Sequence, residues 1–305
     1  MVISCPTCNG RLEPGLRDWH RVCRTCSYEG SVLQARILEQ VPGGELDEFA
    51  REDALEPLRR RNFAHLSGLI REACPHPAAA GKPRLLDVGC AHGWFLEQNR
   101  ADFDVTGIEP DVAVADATRR RGLHVRAGFF PDAMKADERF DVIVFNDVLE
   151  HIPDVHATLA ACRRHLLPGG LLVINSPDRR GALYRISKLL LRVGAPAYFD
   201  RMWQEGFPSP HVHYFDSSSL VTMLRSHGFS EIGMHRLASL STSGLYARVS
   251  YSRAVPAWKA MAITALVTAA IPALRLMPSD ITVWLFRQGA DAGNRGGSPK
   301  TGGTG

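Results

Sequence analysis

The stretch "LLDVGCAHGWFLE", residues 85 to 97, constrains the fold more than any other part of the chain. Leu85, Leu86 and Val88 form an apolar run without the polar alternation of a half-exposed sheet, so the run reads as a parallel strand covered on both faces. It ends at Gly89. Cys90, Ala91, His92 and Gly93 follow, where small residues let a ligand approach the backbone, and "WFLEQNR" then has helical character. A turn between strand and helix presents free backbone N–H groups to whatever sits at the helix N-terminus. A nucleotide-like ligand fits such a place, and an ordinary strand-to-helix turn is the plainer alternative.

The segment "DVTGIEP", 104 to 110, decides between them. It is a second apolar strand, ending on Glu109 twenty residues beyond Gly89. In doubly wound sheets an acid at that place accepts hydrogen bonds from a ribose diol. Asp87, just ahead of the glycines, would repel the phosphates of a dinucleotide and suits a cation. The expected ligand is positively charged.

These residues resemble the first motif, acid-x-Gly-x-Gly-x-Gly, of the class I S-adenosylmethionine-dependent methyltransferases. Asp87, Gly89 and Gly93 match it, and Ala91 replaces the middle glycine at little cost in room. The resemblance covers roughly residues 55 to 250. "RFDVIVFNDVLEHIPD", 139 to 154, is similar to the family's fourth strand and the "LEH" helix start, and "LLPGGLLVINSP", 166 to 177, to the turn and fifth strand. It implies an α/β fold with a doubly wound, Rossmann-like sheet of seven strands. It also implies that Asp87 and Glu109 hold the methionine amino side and the ribose of the donor, with Gly89, Ala91 and Gly93 in the loop and Asn146 beside it. Phe129 and Phe130, after the strand "HVRAG", would pack on the adenine.

Cys5-x2-Cys8 and Cys23-x2-Cys26 supply the four thiolates of a tetrahedral zinc site, fourteen residues separating the pairs. The expected zinc is structural, replacing the core that about 30 residues cannot build. Cys74, Cys90 and Cys162 are scattered and read as packing residues. The first thirty residues hold these cysteines and many charges instead of an apolar signal, so the expected location is the cytoplasm.

A zinc ribbon raises RNA methylation as a rival function. Through residue 40, Arg11, Arg17, Arg21, Arg24 and Arg36 face Glu13, Asp18, Glu29 and Glu39, and the whole chain carries a net charge of +4. That is modest for neutralising several phosphates. Trp19 and Tyr28 are too few to make a stacking platform, so RNA is disfavoured. A third reading, a binding module that keeps the fold without catalysis, rests on the lost glycine.

The organisation expected is a zinc ribbon over 1–40, a helical cap and linker over 41–82, the methyltransferase core over 83–252, an apolar helix and last strand over 253–288, and a flexible tail over 289–305. In the cap, Leu58, Phe63, Leu66, Leu69 and Ile70 have the spacing of a buried stripe, and Arg59, Arg60 and Arg61 read as a solvated face. "HPAAAGKP" links the cap to the first strand.

The acceptor site is expected beyond the fifth strand. "SPDRRGALYRISKLLLRVG" reads as a turn and a basic amphipathic helix. The "PHxHYF" pattern, followed by a serine-led helix and "GF", resembles a bacterial methyltransferase subgroup acting on small molecules, often in sugar, cell-surface lipid or secondary-metabolite pathways. The acceptor implied is a small or lipid-linked hydroxyl compound. Its base is sought among His151, His211 and His213, each with backbone bonding as the bland alternative, and Asp147 and Glu150 could orient the acceptor.

"AMAITALVTAAIPAL", 260 to 274, is uncharged, but it is short for a membrane span and holds Pro272. The plain expectation is a helix packed on the core before a last strand "DITVWLF". The alternative is interfacial membrane contact, aided by Trp258, Lys259 and the basic helix with Arg179, Arg180, Arg185, Lys188 and Arg192. The oligomeric state is not legible.

Overall fold

The two apolar runs around Leu86 and Ile108 become neighbouring parallel strands, and the rest of a large sheet grows from them. The computed structural model describes residues 3–35, 48–74, 81–242, 244–250, 256–274 and 276–289. The linker at 75–80, the ribbon-to-cap boundary at 36–47 and the tail beyond 289 lie outside the described residues. The elements run β1 (Leu12–Pro14), β2 (His20–Cys23), β3 (Glu29–Ser31), α1 (Glu48–Ala73), β4 (Arg84–Val88), α2 (Trp94–Asn99) and β5 (Asp104–Glu109). They continue as α3 (Val112–Arg120), β6 (Val125–Ala127), β7 (Phe140–Asn146), α4 (Val155–His165), β8 (Leu166–Pro177), α5 (Ala182–Arg192) and α6 (Ala197–Met202). The last are β9 (His213–Tyr214), α7 (Ser217–Ser226), β10 (Phe229–Leu237), α8 (Leu245–Ser250), α9 (Ala257–Leu274) and β11 (Ile281–Gln288).

Seven strands form one sheet in the order β10, β11, β8, β7, β4, β5, β6. β11 is antiparallel to both neighbours, and the other pairings are parallel. The central strands lack polar alternation because both faces are covered. Phe145, Leu172 and Ile174 join the core on one face, and Leu85, Val144 and Val173 join that on the other. Each such side chain contributes about 1.5–3 kcal/mol by leaving water.

The cap is α1, whose Leu58, Phe63, Leu66 and Ile70 are buried and whose Leu69 packs at the margin of the core. Three expectations need revision. The "LEH" segment does not open a helix: Leu149–His151 is a single 3-10 turn, and α4 starts at Val155, where the Asp154 carboxylate accepts from the Ala157 N–H. The cause is Pro153, which holds Ile152 extended at ψ 113°.

The N-terminal ribbon is not a separate sheet. β1, β2 and β3 are joined by β9 in a four-stranded sheet, Gly30 pairing with His213 and Glu29 with Tyr214. The division at residue 40 therefore cuts through a shared unit. Finally, α9 is mostly exposed instead of packed on the core: Ala260 and Ile271 are buried, whereas Trp258, Met261 and Leu266 are exposed. Among the described residues it is the one helix long and apolar enough to cross a membrane by length and composition.

Candidate active site

At the carboxyl end of β4 the chain makes two left-handed turns that only glycine adopts without strain. Gly89 has φ +70° and Gly93 φ +71°, and a Cβ at either would collide, with Val148 in the first case and with Thr118 and Leu123 in the second. Ala91, between them, also lies in the left-handed region, at φ +43°. The replaced glycine thus costs backbone conformation instead of room, about 1–2 kcal/mol. Two bonds hold it there. The Ala91 N–H donates to Glu109 Oε2 at 2.9 Å, and Thr118 Oγ1 donates to the Ala91 carbonyl at 3.1 Å.

Glu109, at the end of β5, also accepts from the Asp111 N–H at 3.0 Å through its other oxygen. It braces the loop from behind, next to the cleft, instead of standing in the lining. Asp87 does stand in it. Burial pushes its carboxyl up to about 8, the Glu109 charge adds to the rise, and the Asn146 Nδ2–H, 3.2 Å away, opposes it. Asn146 Oδ1 is buried without a hydrogen-bond partner. A buried carboxylate and an unsatisfied amide oxygen therefore face a cleft of about 170 Å³ shaped by Gly89, Ala91 and Asp147. That is a cradle for a cation, because a positive ligand restores the charge that burial suppresses. The residues fit the sulfonium and ammonium of S-adenosylmethionine.

Two cap residues, read from the sequence as part of a solvated face and of a buried stripe, complete the cleft. Arg59 and Phe63 of α1 line it. The three consecutive arginines reach three environments, since successive helical residues are turned by about 100°. Arg59 lies on the cleft, Arg60 bonds Glu56 and Glu97, and Arg61 is exposed. That geometry was the available signal: a run of three cannot share one face. Phe129 and Phe130 lie outside the lining. Phe129 is exposed, and Phe130 is buried edge-on against Phe145.

The histidines divide. His151, in the turn after β7, lies 3.0 Å by Nδ1 from the Pro210 carbonyl, which can only accept. Nδ1 carries the proton, and Nε2 keeps the basic lone pair. His211 is buried with its ring 4.8 Å from that of His151 and accepts at Nε2 from Gln204 Nε2–H at 2.9 Å. Glu150 stands beside both, and burial pushes it well above the ordinary carboxylate range, with the Asp147 charge adding to the rise. His213 is a correction to the list of bases. Its Nε2–H donates to the Ile152 carbonyl at 2.8 Å, Tyr28 O–H donates to its Nδ1, and burial holds it neutral, at about 4. Both nitrogens are spent as a strut between ribbon and core.

In the ribbon, Cys5, Cys8, Cys23 and Cys26 place their sulfurs within 4.8 Å of one another, with Cys5 to Cys26 and Cys8 to Cys23 at 3.5 Å. Tetrahedral zinc with bonds of about 2.3 Å needs sulfurs roughly 3.8 Å apart, so the set fits. Each pair closes the same way: Cys5 N–H donates to Gly10 O at 2.7 Å and Cys23 N–H to Tyr28 O at 2.8 Å, past left-handed Asn9 and Ser27.

Behind the ribbon Glu29 is buried. Burial pushes its pKa up, but bonds from His20, Lys188 and Tyr184 prevail and hold it at about 2. Trp19 stacks on Phe199, with ring centroids 5.9 Å apart. The ribbon's two aromatic residues are thus engaged with the core. So are three of the five basic residues expected to aid membrane contact: Arg179 and Arg180 pair with Asp216, and Lys188 with Glu29.

Comparison with known proteins gives a consistent picture. Residues 46–232, more than half of the chain, match the family described as "Methyltransferase domain". The ubiquinone biosynthesis O-methyltransferase of Bordetella avium is 28% identical over 61% of this chain and 74% of its own length. That of a Bradyrhizobium species is 33% identical over 32% of this chain, which spans only 40% of that relative. Among solved structures, a chain in a complex of a Haloferax volcanii methyltransferase with its activator superposes with a TM-score of 0.50. At 16% identity, covering 80% of this chain and 95% of that one, it shares the fold.

Proposed function

The chain belongs to the methyltransferase family, and from that premise we propose that it moves the methyl group of S-adenosylmethionine to a hydroxyl oxygen of a small or lipid-linked acceptor. The observation that carries this is the buried Asp87 and Asn146 pair behind two left-handed glycines, a site shaped for a cationic donor. The O-methylation named for the curated relatives supports oxygen as the acceptor atom. When bound, the donor supplies an electrophilic methyl group for in-line displacement.

The protein's task is then positioning and one proton. Asp87 and Asn146 orient the donor, and Glu109 holds the loop through Ala91. Arg59 and Phe63 narrow the mouth of the cleft. His151 Nε2 receives the hydroxyl proton as the oxygen attacks, with Pro210 fixing the tautomer. His211 sets the orientation of the His151 ring. Holding nucleophile and methyl in line supplies most of the acceleration. Zinc stays in the ribbon as a structural ion, and a reducing cytoplasm keeps its thiolates available.

Donor binding tests the reading. Without donor, Asp87 is mostly protonated at pH 7, and a cation binds its ionised form. Affinity for S-adenosylmethionine should rise as pH approaches about 8 and level off above it. Asp87→Ala and Glu109→Ala should each abolish binding. Labelled donor incubated with fractionated extract then identifies the acceptor: label in the lipid or small-molecule pool agrees with the proposal, label in RNA sinks it, and tight binding with no transfer points to a non-catalytic module.

A second reading concerns location. The exposed apolar surface of α9 supports peripheral contact with a membrane. Failure of the purified protein to float with anionic liposomes at low salt would rule this out.

A further inference from the structure

A second cavity, of about 240 Å³, lies between α1, the end of β10 and the C-terminal half of α9. Its lining is divided by chemistry. Leu237, Leu240, Ile271, Leu274 and Met277 offer apolar surface. Arg61 and Arg236 stand on the same cavity, exposed, and among the described residues neither makes a hydrogen bond or ion pair. Two unpaired guanidinium groups beside an apolar recess match an anionic group carried on an apolar chain, because the planar fork of arginine takes carboxylate or phosphate in two parallel hydrogen bonds.

The place matters as much as the lining. β10 runs parallel to β4 and β7 across the sheet, so its end at Leu237 lies on the same edge as the donor loop. α1 contributes to both cavities from opposite faces: Arg59 and Phe63 line the donor cleft, and Arg61, turned about 200° from each, lines this one. From Arg59 to Phe63 the helix advances about 6 Å. Asn62 pins that turn to the end of β10 by donating to the Ala238 carbonyl at 2.9 Å.

We propose that this cavity is the acceptor's tail site: it seats the apolar chain of an anionic amphiphile, with a carboxylate or phosphate on Arg61 and Arg236, while the reacting hydroxyl reaches past α1 to the donor. The inference rests on the methyltransferase reading, and its test separates the two. Decyl phosphate, below the concentration at which it aggregates, is titrated by calorimetry into the purified 305-residue chain, and S-adenosylhomocysteine is titrated into the same samples. Decyl phosphate should bind one to one, and decyltrimethylammonium should bind at least tenfold more weakly. The double variant Arg61→Glu, Arg236→Glu, which alters only exposed side chains, should weaken decyl phosphate at least tenfold. Ser239→Trp, which fills the recess, should do the same. S-adenosylhomocysteine should bind all three proteins alike. Equal affinity for the cationic probe, or unchanged decyl phosphate affinity in both variants, overturns the tail site while leaving the donor site standing. Loss of S-adenosylhomocysteine binding by the unaltered protein would instead overturn the reading beneath it.

Discussion

In the seven-stranded sheet the strands are themselves the core: Val142 to Phe145 of β7 and Leu171 to Ile174 of β8 are fully buried, and the pairing between these two strands continues across the sheet. In the four-stranded sheet the strands are two to four residues long, and order comes from four thiolates, the buried Glu29 network and the Trp19 stack. One sheet is stabilised by continuous apolar area, the other by a few strong, directional contacts. The difference shows what the ribbon is for. It cannot persist by burial alone, and its fourth strand, β9, carries the "PHxHYF" segment next to His151, the proposed base. Val212, in that segment, donates its N–H to the Glu150 carbonyl at 2.7 Å, while Ser31 N–H of the ribbon donates to the Val212 carbonyl at 3.0 Å. The ribbon thus holds the segment that carries His211 and, through it, the turn that carries Glu150 and His151.

Metal removal should break the comparison most sharply. Structural zinc contributes on the order of 10 kcal/mol to a small ribbon. Chelation, or Cys8→Ser with Cys26→Ser, should open the ribbon to protease and abolish methyl transfer. S-adenosylhomocysteine binding and the main thermal transition should survive. If donor binding vanishes too, the two sheets are one cooperative unit.

A core truncation should do the reverse. Phe145→Ala should cost about 3–5 kcal/mol and lower the global denaturation midpoint, because the cavity it leaves lies between the helices and the large sheet. Zinc content per folded molecule should not change.

Glu29→Gln tests the electrostatic half of the ribbon. Breaking a buried, hydrogen-bonded charge costs roughly 3 kcal/mol. Because Glu29 is held at about 2, below its usual 4.5, its contribution is present above the usual value and is lost as pH falls through about 2. Tryptophan fluorescence in the unaltered protein should report acid loosening of the Trp19 stack in that window, and the variant should lack the transition.

Tyr28→Phe is the smallest change, about 1 kcal/mol for the bond to His213. Methyl transfer should fall severalfold at most. A loss as large as that of His151→Ala would return His213 to the chemistry.

Much of the large sheet was legible because its signals are local. An apolar run, an acid and a glycine turn lie within a dozen residues, and the parallel strands follow from burial on both faces. The zinc ligands were legible for the same reason, as spacing carries the geometry of each knuckle. The Ala91 cost was misjudged, since sequence reports side-chain volume and not φ. Phe129 and Phe130 were placed by resemblance alone, and the chain turns them to solvent and to the core.

The chain's own letters thus determined the strand, loop and helix around Asp87, the acid at Glu109 and the four thiolates. Tertiary structure alone decided that β9 completes the ribbon sheet, that His213 is a strut while His151 keeps a basic nitrogen, that Arg59 and Arg61 serve different cavities, and that α9 stays exposed. A two-residue strand has no periodicity to read, and a histidine looks the same whether its partners are water, a carbonyl or a tyrosine. Those choices depend on groups far apart in sequence, as Tyr28 and His213 are, and only packing brings them together.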